Sequence, residues 1–259
     1  MHESFLKYLS GLVDTDGHLA LTKNGCRSDD DKFWLRLQLQ LSSSENIDRH
    51  GFIKSLPELT GMGGVHQCPQ HSQMHTWTVS EMSDLEKLLP RLIKHMSIKA
   101  KHWQQLLDIR RSYKGKALTR AGCDELLFQS KRSRIENVGP IKPKNHPSWS
   151  WMAGFMDGDG HFYCRENKKG SLDMYAGATV HKNDESVLYW VQKAFGGKIY
   201  EHSKNAQAMR WRRPLGFKYS SFALDFLPKL AKHSRLKKHK IDKMIHIHSQ
   251  RLSTRRATA

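Results

Sequence analysis

The chain of 259 residues is long enough for one large or two ordinary domains, each able to bury a core of its own. Its 43 Lys and Arg exceed its 25 Asp and Glu and give a formal net charge of +18, which favours a polyanionic partner such as nucleic acid. It has no apolar run long enough to span a membrane, no signal-peptide pattern and no paired cysteine spacing, so we expect an intracellular protein without membrane contact.

The first predicted element is a helix that ends in an acidic turn. The stretch "YLSGLVDTDGHL" (residues 8–19) continues an apolar run into Asp16 and Gly17. We expect Gly17 to cap the helix in the left-handed conformation, which places Asp16 at the helix tip. A carboxylate there lies at the negative end of the helix dipole and is unfavourable without a cation nearby. The small residues Ser10 and Gly11 would let a second helix approach closely.

Strands, a helix, a hairpin and a basic helix are predicted to follow. The stretch "WLRLQLQLS" (residues 34–42) alternates leucine with Arg and Gln, the period-two pattern of a half-buried strand. Its polar side chains can pair with guanine and adenine edges in a major groove. In the later hairpin we expect Trp77 to point inward and its neighbours outward. The last element, "LPRLIKHMSIKAKHWQQLL" (residues 89–107), is predicted to be a basic helix.

A stretch rich in Gly, Pro and Lys separates this half from the next. The segments "YKGKALTRAG" (residues 113–122) and "NVGPIKPKNHP" (residues 137–147) are typical of a linker, with a short helix predicted between them. We therefore divide the chain into an N-terminal repeat (1–112), a linker (113–147) and a C-terminal repeat (148–259).

The second half repeats the first in the same order. The stretch "WMAGFMDGDGHF" (residues 151–162) places Asp159 143 residues after Asp16. The pattern LPxLxKHxxxK also recurs, so that Lys237 lies 138 residues after Lys99. Two motifs that recur at nearly one spacing indicate an internal duplication.

The duplication predicts a metal site that the two halves share. Ala153 and Gly154 correspond to Ser10 and Gly11, so we expect the two helices to pack together along these small residues. Their acidic tips would then converge, and like charges at short distance are costly unless a cation lies between them. Oxygen ligands select hard ions such as Mg²⁺, and such a site on a basic surface suits the hydrolysis of phosphodiesters.

These residues resemble a known family. "YLSGLVDTDG" and "WMAGFMDGDG" are similar to the two signature helices of the LAGLIDADG homing endonucleases in their single-chain, two-repeat form. The resemblance covers nearly the whole chain and implies an α+β fold. It implies two pseudo-symmetric αββαββα units, whose sheets form a β-saddle around a central pair of packed helices.

The resemblance also implies which residues hold the metal. The second acid of each motif is the metal ligand of that family, and these acids are Asp16 and Asp159 here. The backbone carbonyls of Thr15 and Gly158 are expected to help. The implied cofactor is Mg²⁺ or Mn²⁺, with two or more ions shared between the repeats.

Further catalytic residues follow from the same resemblance. The basic residue near the active site, on the later helix, falls on Lys99 and Lys237, where it would orient the attacking water or stabilise charge on the phosphate. A polar residue just past the second strand organises solvent in some members, and this position falls on Ser43 and Lys182. These two differ, so we expect the solvent network to be asymmetric.

The sheets are expected to lie in the major groove of DNA. Because the two halves differ at nearly every position of the reading face, the resemblance implies a non-palindromic target. In the first half the expected reading residues are His18, Thr22, Asn24, Arg36, Gln38, Gln40, His66, Thr76 and Thr78. In the second half they are His161, Tyr163, Arg165, Tyr175, Thr179, Tyr200, His202, Arg210 and Arg212.

The implied function is that of a monomeric homing endonuclease acting on double-stranded DNA. It would hydrolyse one phosphodiester on each strand of a long site, in a bacterial cytoplasm or in a eukaryotic organelle or nucleus. The alternative is an intron RNA maturase, or a non-cleaving DNA-binding protein, on the same scaffold. Relatives without cleavage often lose a metal aspartate, and both aspartates are present here, which favours the enzyme.

Overall fold

In the computed structural model of the protein, the residues described are 1–25, 32–68, 71–136, 146–166, 171–212 and 222–257. They form helices and strands in the order predicted for a duplicated α+β chain. In chain order these are α1 (Glu3–Thr15), β1 (His18–Gly25), β2 (Phe33–Ser44), α2 (Phe52–Thr60), β3 (Gly64–Cys68), β4 (His71–Val79), α3 (Met82–Ile93), α4 (Ala100–Ser112), α5 (Arg120–Glu136), α6 (Trp149–Gly158), β5 (Gly160–Glu166), β6 (Leu172–His181), α7 (Glu185–Phe195), β7 (Lys198–Ser203), β8 (Ala206–Arg212), α8 (Leu227–Ala231) and α9 (Lys238–Ala257).

The chain divides into two compact units. The first unit consists of Met1 and Asp16–Pro143, and the second consists of His2–Thr15 and Lys144–Ala259. Helix α1 therefore packs within the second unit, although it begins the first sequence repeat. The division into an N-terminal repeat, a linker and a C-terminal repeat describes the sequence, and it stays a prediction.

The sheet of the first unit has the strand order β1-β2-β4-β3, and neighbouring strands are antiparallel. The alternation predicted for β2 is confirmed, because its leucines are buried on one face and Trp77 of β4 joins them. Helices α2 and α4 pack against this sheet. The opposite face of the sheet carries the polar side chains.

The sheet of the second unit has the matching order β5-β6-β8-β7. Smaller residues take the place of the leucines here, since Met174, Ala176 and Ala178 form the buried face of β6 with Trp211 of β8. Helices α7 and α9 pack against the sheet. Both units thus present one polar sheet face, as the sequence predicts.

Helices α1 and α6 pack against each other at the small residues that the sequence indicates. A Cβ atom on Gly11 would lie 2.2 Å from the carbonyl oxygen of Trp151, and one on Gly154 would lie 2.0 Å from that of Tyr8. Both distances are far below van der Waals contact, so neither position tolerates a side chain. Ser10 and Ala153 beside them are fully buried. The predicted helix packing is confirmed.

Gly154→Ala is expected to lower the free energy of unfolding by about 3 kcal/mol or more, because the methyl group would meet backbone atoms of α1 that cannot rotate away. Gly122→Ala in α5 is the control, because its Cβ would lie 3.3 Å from the rotatable Thr119 hydroxyl. We expect the control to stay within about 1 kcal/mol of wild type. Urea unfolding measures both, and wild-type stability in Gly154→Ala would contradict this packing.

Two expectations about helix ends are wrong. Gly17 does not have the positive φ expected of it, and neither does Gly160 at the matching position, because both glycines lead into extended backbone at the start of β1 and β5. Gly160 is needed for space, since a Cβ there would lie 2.3 Å from the carbonyl oxygen of Met156. The basic helices are also interrupted, because Lys99 and Lys237 directly precede α4 and α9 rather than lying within a continuous helix.

The predicted linker contains a longer helix than expected, α5, which packs on the first sheet. Cys123 of this helix is buried, and the backbones of Phe33 and Leu118 form an isolated bridge beside it. Within the described part of the chain, every helix falls short of the length and apolar character that crossing a bilayer would require.

Candidate active site

The acidic turn of the second unit lies between α6 and β5. Helix α6 ends at Gly158, Asp159 follows in a right-handed helical conformation, and β5 begins at Gly160. Asp159 is exposed, whereas Asp157, two residues earlier, is 1% exposed. The two acids of the motif therefore have different environments, and the second one is accessible to solvent.

The side chain of Lys237 is fixed against the backbone of this turn. Its Nζ atom donates to the carbonyl oxygens of Gly158 at 2.5 Å, Gly160 at 2.7 Å and Met156 at 3.3 Å. The residue is 7% exposed, so a positive charge is held almost out of water beside the acidic turn. These bonds place the Lys237 ammonium beside the residues on either side of Asp159, and its part in catalysis stays a prediction.

Asp157 holds the segment that carries Lys237. Its Oδ1 atom accepts from the Ser234 hydroxyl at 2.6 Å and from the backbone N–H of Lys237 at 3.1 Å. Its Oδ2 atom accepts from the Tyr8 hydroxyl at 2.7 Å and from the backbone N–H groups of Arg235 and Leu236 at 2.7 and 3.0 Å. The expectation that the first acid of the motif fixes local structure through hydrogen bonds is confirmed for Asp157.

The first unit repeats part of this arrangement. Asp16 is exposed directly after the end of α1, and β1 begins at His18. The Nζ atom of Lys99 donates to the carbonyl oxygen of Gly17 at 2.8 Å. This bond is the counterpart of the one from Lys237 to Gly160. Each unit thus places a lysine ammonium against the backbone of its acidic turn.

The structure also locates three other predicted site residues, namely Thr15, Ser43 and Lys182. The Thr15 hydroxyl donates to the Leu12 carbonyl oxygen at 2.8 Å within α1. Ser43 lies inside β2 rather than past it, on the buried face beside Leu41, so its expected position is wrong. Lys182 does directly follow β6 and is exposed.

The nine reading residues expected in the first unit all lie on one face of its sheet. The pairs His18 with Gln40, Gln40 with Thr78, and His66 with Thr76 stand directly opposite each other on adjacent strands. Because side chains two residues apart in a strand point the same way, the remaining members share this face. Those members are Thr22, Asn24, Arg36 and Gln38.

The second sheet shows the same placement for most of its reading residues. Opposed pairs and strand alternation put these on the face away from Trp211: His161, Tyr163, Arg165, Tyr175, Thr179, Tyr200 and Arg210. His202 lies at an irregularity in the pairing of β7 with β8, where the register shifts between Glu201 and Ser203. The backbone of Arg212 pairs with Tyr175, and its side chain lies outside the described part of the structure.

Aromatic rings hold Arg210 in place on this face. Its guanidinium lies 4.1 Å from the ring centre of Tyr175 and 5.0 Å from that of Tyr200, and it donates to the Tyr200 hydroxyl at 2.9 Å. Gly177 makes room for the His161 ring, which lies 5.7 Å from the ring centre of Tyr175, because a Cβ at Gly177 would lie 2.6 Å from the His161 ring. Sequence reasoning missed the role of Gly177; the signal was a glycine inside a predicted strand.

The pKa of His161 lies below its ordinary value near 6.5, first because of desolvation and then because of the positive charges of Arg210 and Lys237. A lowered pKa means that the folded protein binds fewer protons than the unfolded chain. The contribution of His161 to stability is therefore full above pH 6.5 and is lost as the pH falls below that value.

An NMR titration of the histidine ring signals tests this shift. We expect the midpoint of His161 below 6.5 in the wild type and closer to 6.5 in Arg210→Gln, where one positive neighbour is removed. His66, on the sheet of the first unit, serves as the reference histidine in both proteins. A His161 midpoint at or above 6.5 would contradict the environment described.

Part of the chain is similar in sequence to known proteins. A family model described as LAGLIDADG endonuclease matches residues 152–219. Over 62 residues, the chain is 39% identical to the intron-encoded RNA maturase bI4 of Saccharomyces cerevisiae and 42% identical to the probable intron-encoded endonuclease aI2 of Debaryomyces hansenii. Each match covers 24% of this chain and 9% of the relative, so this chain spans only a small part of those proteins.

The similarity to solved structures extends over nearly the whole chain. The crystal structure of the I-SmaMI LAGLIDADG homing endonuclease bound to cleaved DNA has a TM-score of 0.74 and 14% sequence identity, covering 96% of this chain and 90% of that chain. The protein thus has the fold of the single-chain LAGLIDADG homing endonucleases. Residues 152–219 match the LAGLIDADG endonuclease model, so the resemblance found in the sequence is confirmed for that segment, and its fold is confirmed over nearly the whole chain.

Proposed function

We propose that the protein is a sequence-specific endonuclease that hydrolyses one phosphodiester bond on each strand of double-stranded DNA. The observation that carries this proposal is the pairing, in each unit, of an exposed aspartate with a lysine fixed to the same turn. The net charge of +18 suits a duplex partner. The DNA-bound relative of the same fold adds support.

Asp16 and Asp159 are the proposed metal ligands, with the backbone carbonyls of Thr15 and Gly158. The described residues contain no group of three or more His, Cys, Asp or Glu able to hold an ion. The donors that we propose are the carboxylates of Asp16 and Asp159, the two backbone carbonyl oxygens and the phosphate of the DNA. This oxygen-only set fits Mg²⁺ or Mn²⁺. When bound, such ions lower the pKa of water and neutralise charge on the phosphate.

The lysines would supply positive charge that does not depend on the ion. Lys237 donates to three carbonyl groups of its turn, so its position is fixed before DNA binds. A carbonyl oxygen has two lone pairs, so the bond from Lys237 to Gly158 leaves one for a cation. A fixed ammonium close to the attacked phosphate stabilises the charge that develops in the transition state.

The two reading faces differ in a way that favours a non-palindromic site. His18 lies two residues after Asp16 and begins a row of paired residues that crosses the first sheet. The row consists of His18, Gln40, Thr78 and Gly64. The corresponding row of the second sheet is His161, Gly177, Arg210 and Lys198. The first row contains neither Lys nor Arg, whereas the second contains the two cations Arg210 and Lys198, so the half-sites should differ in sequence.

A cleavage selection from a randomised duplex library tests the proposal. We expect Mg²⁺-dependent enrichment of one long, non-palindromic sequence cut on both strands, and no cutting in the presence of a chelator. Binding of DNA without cutting in Mg²⁺ or Mn²⁺ would contradict the enzyme. Stimulated splicing of an intron RNA by a chain that does not cut would favour the maturase alternative, to which the bI4 relative points.

A further inference from the structure

A polar cavity in the second unit takes no part in the proposed cleavage. Its volume is about 310 Å³, and it opens between the first turns of α1 and α6 and the segment that joins α8 to α9. Ser150 of α6 lines it, nine residues before Asp159. At the helical rise this separates the two residues by about 13 Å along the axis. The cavity therefore lies at the other end of α6 from the acidic turn.

The walls of this cavity are positively charged. Lys232, Arg235 and Lys238 line it together with His233, and none of the described lining residues is acidic. The ammonium of Lys238 donates to Asp242 on the next turn of α9 at 2.6 Å, which compensates part of its charge. Lys232 and Arg235 add two further positive charges from the preceding segment.

The donors of the cavity are held in position before any ligand binds. The Arg235 guanidinium lies 5.2 Å from the ring centre of Phe5 and 5.6 Å from that of Tyr8. Stacking of this kind uses the face of the guanidinium and leaves its N–H groups at the edge. The backbone N–H of Arg235 donates to Asp157, and this bond fixes the backbone from which the Arg235 side chain extends.

Neutral hydrogen-bonding groups complete the wall. The Ser150 hydroxyl and the Nδ1 atom of His233 are 3.2 Å apart. Desolvation, followed by the nearby Lys232, lowers the pKa of His233, so its ring is neutral at neutral pH and its hydrogen-bonding groups remain. The charge of the wall at that pH therefore comes from its lysine and arginine side chains.

We propose that this cavity binds a phosphate group, either as free phosphate or as part of a polynucleotide backbone. Several cations around one small polar space suit an anion of more than one negative charge. The guanidinium group of Arg235, which lines the space, is of the planar type that can donate two parallel hydrogen bonds to phosphate oxygens. The site is distinct from the reading faces, because no residue of either sheet lines it.

Calorimetric titration of the full chain with inorganic phosphate at constant ionic strength tests the site. We expect the double variant Lys232→Gln, Arg235→Gln to bind phosphate roughly tenfold or more weakly than wild type, because charge-assisted hydrogen bonds are lost. Lys240→Gln is the matched control, since it removes an exposed positive charge of α9 that does not line the cavity. Circular dichroism verifies that each variant is folded.

A second titration distinguishes the source of the phosphate. A labelled single-stranded RNA is added in the presence of excess unlabelled duplex DNA, which occupies the reading faces. Loss of RNA binding in the double variant, but not in Lys240→Gln, supports a polynucleotide backbone. Weakened phosphate binding with unchanged RNA binding supports free phosphate. Equal phosphate binding by wild type and double variant, or equal loss in Lys240→Gln, would overturn the proposal.

Discussion

Replacing either Asp16 or Asp159 by Asn is expected to lower double-strand cleavage by roughly 10²-fold or more, while DNA binding stays close to that of the wild type. The amide is nearly the same size as the carboxylate but lacks the charge that a hard divalent ion requires. Both residues are exposed, so the change should not disturb the core. Cleavage of a selected target plasmid and gel-shift binding to the same DNA measure the two effects.

The single variants also test whether the ions are shared between the units. If each ion is held by both carboxylates, one substitution stops the cutting of both strands. Nicking of a single strand by either variant would instead indicate that each unit acts alone. Asp108→Asn and Asp225→Asn are the controls, because each removes an exposed carboxylate from one unit. Full cleavage by either Asp16→Asn or Asp159→Asn would reject the proposed mechanism.

The repeating parts of the fold could be predicted because they depend on local pattern. The leucines of β2 alternate over a whole strand, and the structure buries them on one face as expected. The small residues of α1 and α6 also predicted a close helix contact, which Gly11 and Gly154 make. In both cases the information lies in side-chain size and spacing, which the sequence displays directly.

The break before the last helix could not be predicted, because it is imposed from elsewhere in the chain. The stretch from Leu227 to Ile245 is rich in Lys and Leu, which are good helix formers, and it is typical of a continuous helix. In the structure, the N–H groups of Arg235, Leu236 and Lys237 donate to Asp157. A carboxylate 78 to 80 residues away in sequence thus takes the place of a helical carbonyl acceptor.

The contacts of Arg210 on the candidate reading face also could not be predicted from local pattern. Alternation along β8 predicts that Arg210 points away from Trp211, and the pairing of β6 with β8 agrees. It does not predict that the guanidinium lies between the rings of Tyr175 and Tyr200. Those contacts join side chains of three strands, β6, β8 and β7. Beside them, the absence of a side chain at Gly177 of β6 leaves room for the His161 ring. The position of the Arg210 side chain therefore depends on residues of several strands, which the pattern of a single strand does not reveal.

Asp157→Asn is expected to lower the free energy of unfolding by about 3–5 kcal/mol, although it leaves the number of heavy atoms unchanged. The carboxylate is 1% exposed and accepts five hydrogen bonds, three of them from backbone N–H groups. An amide has donors on one side, so at least one N–H···O contact becomes a clash between two donors. Urea unfolding followed by tryptophan fluorescence measures the loss.

Tyr8→Phe separates the role of the backbone bonds from that of the side-chain bond. It removes the hydroxyl that donates to Asp157 and leaves the bonds to Arg235, Leu236 and Lys237 in place, so we expect a loss of only about 1 kcal/mol. Cleavage should follow the same order, because only Asp157→Asn releases the segment that holds Lys237 against Gly158 and Gly160. Equal stability of Asp157→Asn and Tyr8→Phe would show that the carboxylate does not fix the segment from Arg235 to Lys237. The position of Lys237 would then depend only on its hydrogen bonds to the carbonyl groups of the turn.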